Sequence, residues 1–218
     1  TTSNLGADVT TTGTQTYTEA ATISANITLT TSDNDVTFSS TTNAGSAGDT
    51  LDVDTGTGDL TFTGAVGGST ALGNITIDTA GLTAAAIKLQ GTLDITNSAA
   101  SSITGVISNG ASAASLTKAG AGTLTLSGTN TYTGATTVNN GTLTVSGSGK
   151  LGNGNYSGTL TVASGKTFNY SSSSAQSFSD WGAGTGTINL NGSDEVTLSG
   201  NQDFTGTLNV SQMLIMVG

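Results

Sequence analysis

Carboxylates are the only side chains in this sequence suited to catalysis or metal binding. The chain has no His and no Cys, and its four basic residues are all Lys. A Ser–His–Asp or Cys–His arrangement and a His or thiolate metal site therefore cannot be built. Paired carboxylates remain for acid–base chemistry of the kind that hydrolyses glycosidic bonds. The pairs are Asp33 and Asp35, Asp52 and Asp54, and Asp194 and Glu195.

Calcium is another ligand that these residues allow. Asp52, Asp54 and Asp59 supply hard oxygen atoms, and two glycines between them permit a tight turn. The spacing matches no complete calcium-binding loop, and the alternation in residues 51–54 places both carboxylates on the solvent face of one strand. Residues 33–35 are expected to form a turn. The sequence therefore predicts no catalytic residue, no cofactor and no metal ligand, and leaves calcium at Asp52, Asp54 and Asp59 open.

A repeated five-residue unit must position these side chains. Residues 122–126 read Gly-Thr-Leu-Thr-Leu, and the order Gly, polar, apolar, polar, apolar recurs along the chain. A period of two is that of a strand with one buried face, and Gly permits the corner between strands. The predicted inward pairs are Leu60 and Phe62, Ile75 and Ile77, Leu93 and Ile95, Leu124 and Leu126, Leu143 and Val145, Leu160 and Val162, Ile188 and Leu190, and Leu208 and Val210.

The spacing of the units favours a solenoid. Successive units lie about 20 residues apart on average, which is the size of a supersecondary unit that stacks on its copies. A sandwich of hairpins is the competing all-β fold. Aromatic residues make up only 5% of the chain, and the same few aliphatic residues occupy the same place in each unit. We predict an all-β solenoid of about ten coils, each with two or three short strands, about 50 Å long.

Charge and hydropathy exclude several partners. The 14 acidic residues outnumber the four basic ones, and the formal net charge is −10. A nucleic-acid surface needs clustered Lys and Arg, so binding of nucleic acid is excluded and binding to anionic membranes is disfavoured. The longest apolar run, residues 213–217, is far shorter than the roughly 20 residues of a membrane span. We therefore expect no membrane insertion.

Residues 116–143 resemble the passenger-associated repeat of bacterial autotransporters. The residues that carry the resemblance are Lys118, Gly120, Gly122, 130–134 and 136–143. Residues 14–62 are similar to repeats of filamentous-haemagglutinin-type adhesins. The resemblance implies a right-handed parallel β-helix that is exported across a bacterial envelope. It implies a stalk or scaffold without enzymatic activity.

We predict a single solenoid domain over residues 1–218. It comprises adhesin-like coils (1–110), autotransporter-type repeats (111–210) and an apolar C-terminal strand (211–218). The alternation is lost in residues 213–217 and no polar cap follows, although terminal repeats of solenoids normally carry caps. Either the natural chain continues, or this end pairs with a neighbouring copy by strand addition.

The predicted function is that of a non-enzymatic, extracellular structural or adhesive solenoid, acting as a bacterial surface stalk or adhesin segment. The alternatives are a self-polymerising filament subunit and a β-helix enzyme that acts on polysaccharides. The expected partners are further copies of the chain, joined end to end, and a glycan or protein receptor on a host or cell surface. Because no Met precedes Thr1, we expect that a signal peptide has been removed and that the protein is secreted or displayed.

Two further surface features lead to expectations of their own. The Thr-x-Thr spacing in residues 14–18 resembles that of ice-binding faces. Coils of unequal length, however, predict that the threonines do not form a flat array. Trp181, the single Trp of the chain, is expected to cover the core instead of offering a platform for sugar stacking.

Overall fold

The fold consists of short parallel strands wound into stacked coils. The computed structural model describes residues 2–217, which contain 27 strands and one short 3-10 helix at Gly152–Gly154. Each strand pairs in parallel with the equivalent strand of the next coil. The predicted all-β solenoid of about ten coils is therefore confirmed.

Two long sheets run through the molecule, one of twelve strands (sheet A) and one of ten (sheet B). Sheet A contains β2 (Val9–Thr11), β5 (Ile27–Thr31), β8 (Leu51–Asp54), β10 (Ile75–Thr79), β13 (Thr92–Asn97), β16 (Ser115–Ala119), β18 (Thr136–Val138), β20 (Asn155–Tyr156), β21 (Leu160–Val162), β23 (Gln176–Trp181), β25 (Val196–Gln202) and β27 (Leu214–Val217). Sheet B contains β3 (Gln15–Tyr17), β6 (Val36–Phe38), β9 (Leu60–Phe62), β11 (Leu82–Ala84), β14 (Ser101–Ile103), β17 (Thr123–Leu126), β19 (Thr142–Gly147), β22 (Thr167–Ser172), β24 (Thr187–Leu190) and β26 (Thr207–Val210).

A third side closes the coils in only part of the chain. Its strands are β1 (Thr2–Leu5), β4 (Ala20–Ile23), β7 (Thr42–Ala44), β12 (Ile87–Leu89) and β15 (Ile107–Asn109), and isolated bridges through Val66 connect β7 to β12. Beyond β15 the described chain has loops on this side, with a bridge between Thr129 and Lys150. We call residues 2–109 the three-sided half and residues 110–217 the two-sided half.

The core is a continuous column of apolar side chains between the sheets. The predicted inward pairs from Leu60 and Phe62 to Ile188 and Leu190 are each at most 1% exposed. This burial follows from the alternation, because every second residue of a strand points to the same face. The pair in the outermost strand of sheet B aligns with this column, but its side chains are 38% exposed at Leu208 and 42% exposed at Val210.

Buried polar side chains line the corner at which sheet A leads into sheet B. Thr31, Thr55, Thr79 and Asn97 follow one another in successive coils, and all four are buried. Thr55 Oγ1 lies 2.9 Å from Thr79 Oγ1 and 2.7 Å from the carbonyl oxygen of Gly58. Such bonds satisfy backbone groups that have left the strand ladders. The repeat pattern predicts only Gly at these corners, so it does not identify this stack of buried polar side chains.

The aromatic rings are arranged differently in the two halves. In the three-sided half, Phe38 stacks between Tyr17 and Phe62, with centroids 4.7 and 5.0 Å away. In the two-sided half, Phe178 meets a cluster of rings edge-on, at centroid distances from 5.9 to 6.3 Å. The rings of that cluster are Tyr156, Phe168, Tyr170 and Trp181. Trp181 is 2% exposed, which confirms its predicted place in the core.

Candidate interaction surfaces

The carboxylates of sheet A lie on its outer face. Asp52 and Asp54 project from β8 towards solvent, as predicted. Asp78 lies next to Asp54 in the following strand, and Asp94 lies one strand further on. Partial burial raises the pKa of the Asp94 carboxyl group. Asp54 Oδ1 also accepts a 3.0 Å hydrogen bond from the amide of Gly56, so this carboxylate fixes the corner that follows its strand.

The other acidic residues near this corner bind backbone amides of the next coil. Asp33 Oδ1 accepts a 2.9 Å bond from the amide of Thr57. Asp35 Oδ1 accepts a 2.8 Å bond from the amide of Asp59. Asp33 has a φ of 59° and lies in the predicted turn. These carboxylates therefore hold neighbouring corners together, and Asp59 lies beyond the corner from Asp52.

The remaining acidic pair, Asp194 and Glu195, lies in the turn before β25, seven strands along sheet A from β8. Asp194 Oδ1 accepts a 2.8 Å bond from the Glu195 amide. Within residues 2–217, no three acidic side chains are placed to hold a metal ion. None of the helical structure in that range is long and apolar enough to cross a bilayer.

Lys118, one of the motif residues, is fully buried in the two-sided half. Its Nζ donates hydrogen bonds to the carbonyl oxygens of Gly120, at 2.9 Å, and Asn140, at 3.4 Å, and also to that of Ala119. Burial lowers the pKa of Lys118 to about 8. The ammonium group thus ties two successive corners together through their carbonyl oxygens.

Asn130, a second motif residue, takes the place of a strand on the third side. It is fully buried, and its Oδ1 accepts a 2.9 Å bond from the amide of Ile107 in the coil before. Its Nδ2 donates to the carbonyl oxygens of Gly128 and of Lys150, which lies in the coil after. The side-chain amide therefore satisfies the Ile107 amide, which has no strand beside it, and adds a second hydrogen bond to two carbonyl oxygens that already accept from backbone amides.

A buried chain of hydroxyl groups supports the same loop. Thr136 Oγ1 lies 2.6 Å from the Tyr132 hydroxyl and 2.7 Å from the Tyr156 hydroxyl. The Tyr156 hydroxyl in turn donates to the carbonyl oxygen of Gly134 at 2.6 Å. Burial raises the pKa of both tyrosines. The motif residues are thus structural, because their polar atoms are directed into the fold.

Gln176 forms similar hydrogen bonds two coils later. Its Oε1 accepts a 2.9 Å bond from the amide of Leu151, and its Nε2 donates a 3.1 Å bond to the carbonyl oxygen of the same residue. The side-chain amide thus pairs with a peptide group as a neighbouring strand does. No feature of the alternating pattern identifies Gln176 or Asn130 as buried.

The outer face of sheet B carries an unbroken row of hydroxyl and amide side chains. In register from strand to strand, the row consists of Thr16, Thr37, Thr61, Thr83, Ser102, Thr125, Thr144, Asn169, Asn189 and Asn209. A second row runs beside it in the two-sided half, formed by Thr123, Thr142, Thr167, Thr187 and Thr207. We call these two rows the ladder face.

The asparagines of the ladder face bind one another. Asn209 Nδ2 donates to Asn189 Oδ1 at 2.8 Å, and Asn189 Nδ2 donates to Asn169 Oδ1 at 2.7 Å. A shallow, open hollow of about 260 Å³ lies beside them, lined in part by Asn191. The amide groups are therefore held in one orientation along the sheet.

An apolar surface marks the last described coil. The large apolar side chains that are exposed in residues 2–217 all lie within it: Leu208, Val210, Met213, Ile215, Met216 and Val217. Strand β26 pairs with β24 and strand β27 with β25, and within the described residues neither has a partner on its other edge. This surface, which we call the open end, combines free backbone groups with an uncovered core layer.

Comparison with known proteins identifies the repeat. The model of the passenger-associated-transport repeat matches residues 116–145 and 188–212. The first match covers the segment whose motif residues are described above, so the predicted resemblance to autotransporter passengers is confirmed. Searches of curated proteins and of solved structures gave no match. The predicted similarity of residues 14–62 to filamentous-haemagglutinin repeats stays a prediction.

Repeat and fold together fit a structural segment of the autotransporter-passenger type. Repeats of this kind are generally structural and without enzymatic activity, and they belong to secreted or cell-surface proteins.

Proposed function

We propose that this chain is a non-enzymatic, extracellular structural segment, which serves a bacterial surface protein as stalk or adhesin. The continuous apolar column between sheets A and B is the observation that carries this proposal. Ten coils at a spacing of about 4.8 Å form a rod about 50 Å long. Because each coil is hydrogen-bonded to the next along two sheets, such a rod holds what it carries at a fixed distance from the surface beneath it.

The positions and hydrogen bonds of the acidic residues support a non-enzymatic role. Asp33, Asp35 and Asp54 accept hydrogen bonds from backbone amides, and Asp52 lies on an open sheet face. A carboxylate pair that hydrolyses glycosidic bonds flanks its substrate from two sides. The chemistry of a β-helix polysaccharide hydrolase is therefore not favoured by these positions.

Two assays test the proposal. Beads coated with residues 1–218 are expected to bind extracellular-matrix proteins or host cells if the segment is itself adhesive, and to stay unbound if it is only a stalk. Beads coated with an unrelated acidic protein of similar charge serve as the control. Release of reducing ends from a panel of acidic and neutral polysaccharides would contradict the proposal in both forms.

The open end favours a second candidate, an end-to-end filament subunit. Apolar layers and free strand edges invite pairing with another copy of the same solenoid. Leu208 and Val210 stand in line with the buried core column, so a further coil stacked on β26 would bury both of them. A second copy of the chain supplies such a coil.

Sedimentation of the purified chain tests the filament. Rods that lengthen with protein concentration are expected, and Leu208→Asp should abolish them because it places a charge in the contact. Asn209→Asp adds the same charge on the outer face of the same strand and should leave assembly unchanged. A monodisperse 21.2 kDa species at all concentrations would contradict the filament proposal and leave the stalk proposal unaffected.

A further inference from the structure

The ladder face is a regular two-dimensional array. Neighbouring strands are about 4.8 Å apart, and alternate residues of one strand are about 6.6 Å apart. From β17 to β26, every strand places one Thr or Asn in the first row and one Thr in the second. The array therefore repeats in both directions over five consecutive coils.

Unequal coil length does not disturb this array. The number of residues from one ladder position to the next varies from 19 to 25. Yet the strands of sheet B stay in register from β3 to β26, because the additional residues lie in the loops. The ladder positions therefore stay in register despite the unequal coils, and the expectation that the threonines do not form a flat array stays a prediction.

The side chains of the array have little freedom. Thr is branched at Cβ and has few rotamers in a strand, and each Thr is flanked above and below by a similar side chain. Asn189 is fixed by hydrogen bonds to the asparagines on both sides. Because these side chains are already ordered, binding of a ligand to the ladder face carries little entropic cost for immobilising them.

The face is neutral in a strongly acidic protein. None of the ten strands of sheet B contains a charged residue, whereas strands of sheet A carry Asp52, Asp54, Asp78, Asp94 and Asp180. A charged group holds a hydration shell of its own, and the ladder face has none of these. Aromatic rings of sheet B lie on its inner side, among them Phe38 and Phe168, so the outer side offers no platform for stacking a sugar ring.

We propose that the ladder face binds the surface of ice crystals. Its hydroxyl and amide groups can each donate and accept hydrogen bonds, while the Thr methyl groups order the water that lies over them. The hydroxyl and amide groups recur at about 4.8 Å across the strands and about 6.6 Å along them, so the water that they bind is ordered with the same regularity. Water held over the face thus joins the crystal with little rearrangement. This binding does not depend on the stalk or filament function.

Thermal hysteresis and inhibition of ice recrystallisation test the proposal on residues 1–218. The unmodified chain is expected to shape ice crystals and to delay their growth below the melting point. Thr144→Tyr places a bulky ring in the middle of the array and should remove most of both effects. Thr137→Tyr is the matched control, because Thr137 lies on the outer face of sheet A between Thr117 and Thr161.

Circular dichroism establishes that both variants fold. Should Thr144→Tyr not fold, Asn189→Lys replaces it, since a lysine brings a charged hydration shell to the same face. A folded chain without hysteresis or recrystallisation inhibition would overturn the proposal. Equal losses in Thr144→Tyr and Thr137→Tyr would also overturn it. The unmodified chain could instead bind insoluble cellulose and show no thermal hysteresis. If Thr144→Tyr then abolished the binding to cellulose, the result would overturn the proposal and assign the ladder face to a polysaccharide.

Discussion

The three-sided and two-sided halves differ in how the backbone groups of the third side find hydrogen-bond partners. In the three-sided half, backbone groups on the third side pair with strands such as β12 and β15. In the two-sided half the chain crosses that side in loops, and Asn130 and Gln176 bind the backbone groups that have no strand beside them. Buried side-chain amides therefore replace a sheet.

This difference explains why the passenger-type motif lies where it does. Asn130 is buried on the third side and binds backbone groups of the coils before and after it, and the buried hydroxyl of Tyr132 in the same loop bonds to Thr136. Within the first matched segment, Asn130 thus marks a coil that lacks a strand on the third side.

The largest expected effect is at the aromatic cluster of the two-sided half. Phe178→Ala should lower the free energy of unfolding by about 4 kcal/mol, because it leaves a cavity and removes four edge-on ring contacts. Phe38→Ala, whose ring stacks on two neighbours, should cost about 3 kcal/mol. Urea unfolding followed by Trp181 fluorescence reports on the two-sided half. If Phe38→Ala shifts that transition as much as Phe178→Ala does, the two halves are not distinct.

Next in size is the loss of the side chain that replaces a strand. Asn130→Ala leaves the buried Ile107 amide without a partner and removes one of two hydrogen bonds from the carbonyl oxygens of Gly128 and Lys150, so it should cost about 2 kcal/mol. Asn209→Ala is the control, because that side chain is exposed on the ladder face, and it should change stability by less than about 0.5 kcal/mol. Urea denaturation of both variants measures the difference. Similar small effects would show that Asn130 is dispensable.

One hydroxyl group can be removed from each half. Tyr156→Phe leaves the Gly134 carbonyl oxygen without its hydroxyl partner, while the Thr136 hydroxyl keeps its bond to Tyr132, so we expect a loss of about 1.5 kcal/mol. Tyr17→Phe removes a bond to Gln15 Oε1 at a half-buried position and should cost about 0.5 kcal/mol. Thermal unfolding of the two variants measures both losses. Equal effects would contradict the view that the two-sided half depends more on polar side chains.

The smallest effect is a dependence on pH. Because burial lowers the pKa of Lys118 from 10.5 to about 8, the folded chain releases this proton before the unfolded chain does. Stability should therefore rise by about 1 kcal/mol between pH 8 and pH 10. The raised pKa values of Tyr132 and Tyr156 reduce stability only above that range. Lys118→Met should abolish the rise, and a rise of unchanged size in this variant would assign it to another group.

The sequence predicts the strands of the two long sheets, but it does not predict the side chains that take the place of strands on the third side. Alternation identifies the inward pairs, since Leu124 and Leu126 need only a period of two to be placed in the core. Asn130 and Gln176 look like surface residues, because their burial depends on backbone groups a whole coil away in the chain. The ladder face is visible only once the register is known, since unequal loops conceal it in the sequence.

Hydrogen exchange at two amides tests the central claim most directly. Ile87 and Ile107 are partners in adjacent strands of the third side, yet the amide of Ile87 donates to a backbone carbonyl oxygen and that of Ile107 to Asn130 Oδ1. If the side chain replaces the strand, both amides exchange at similar, slow rates, and Asn130→Ala selectively exposes Ile107. Exchange of Ile107 at the rate of a free loop amide in the unmodified chain would contradict the claim.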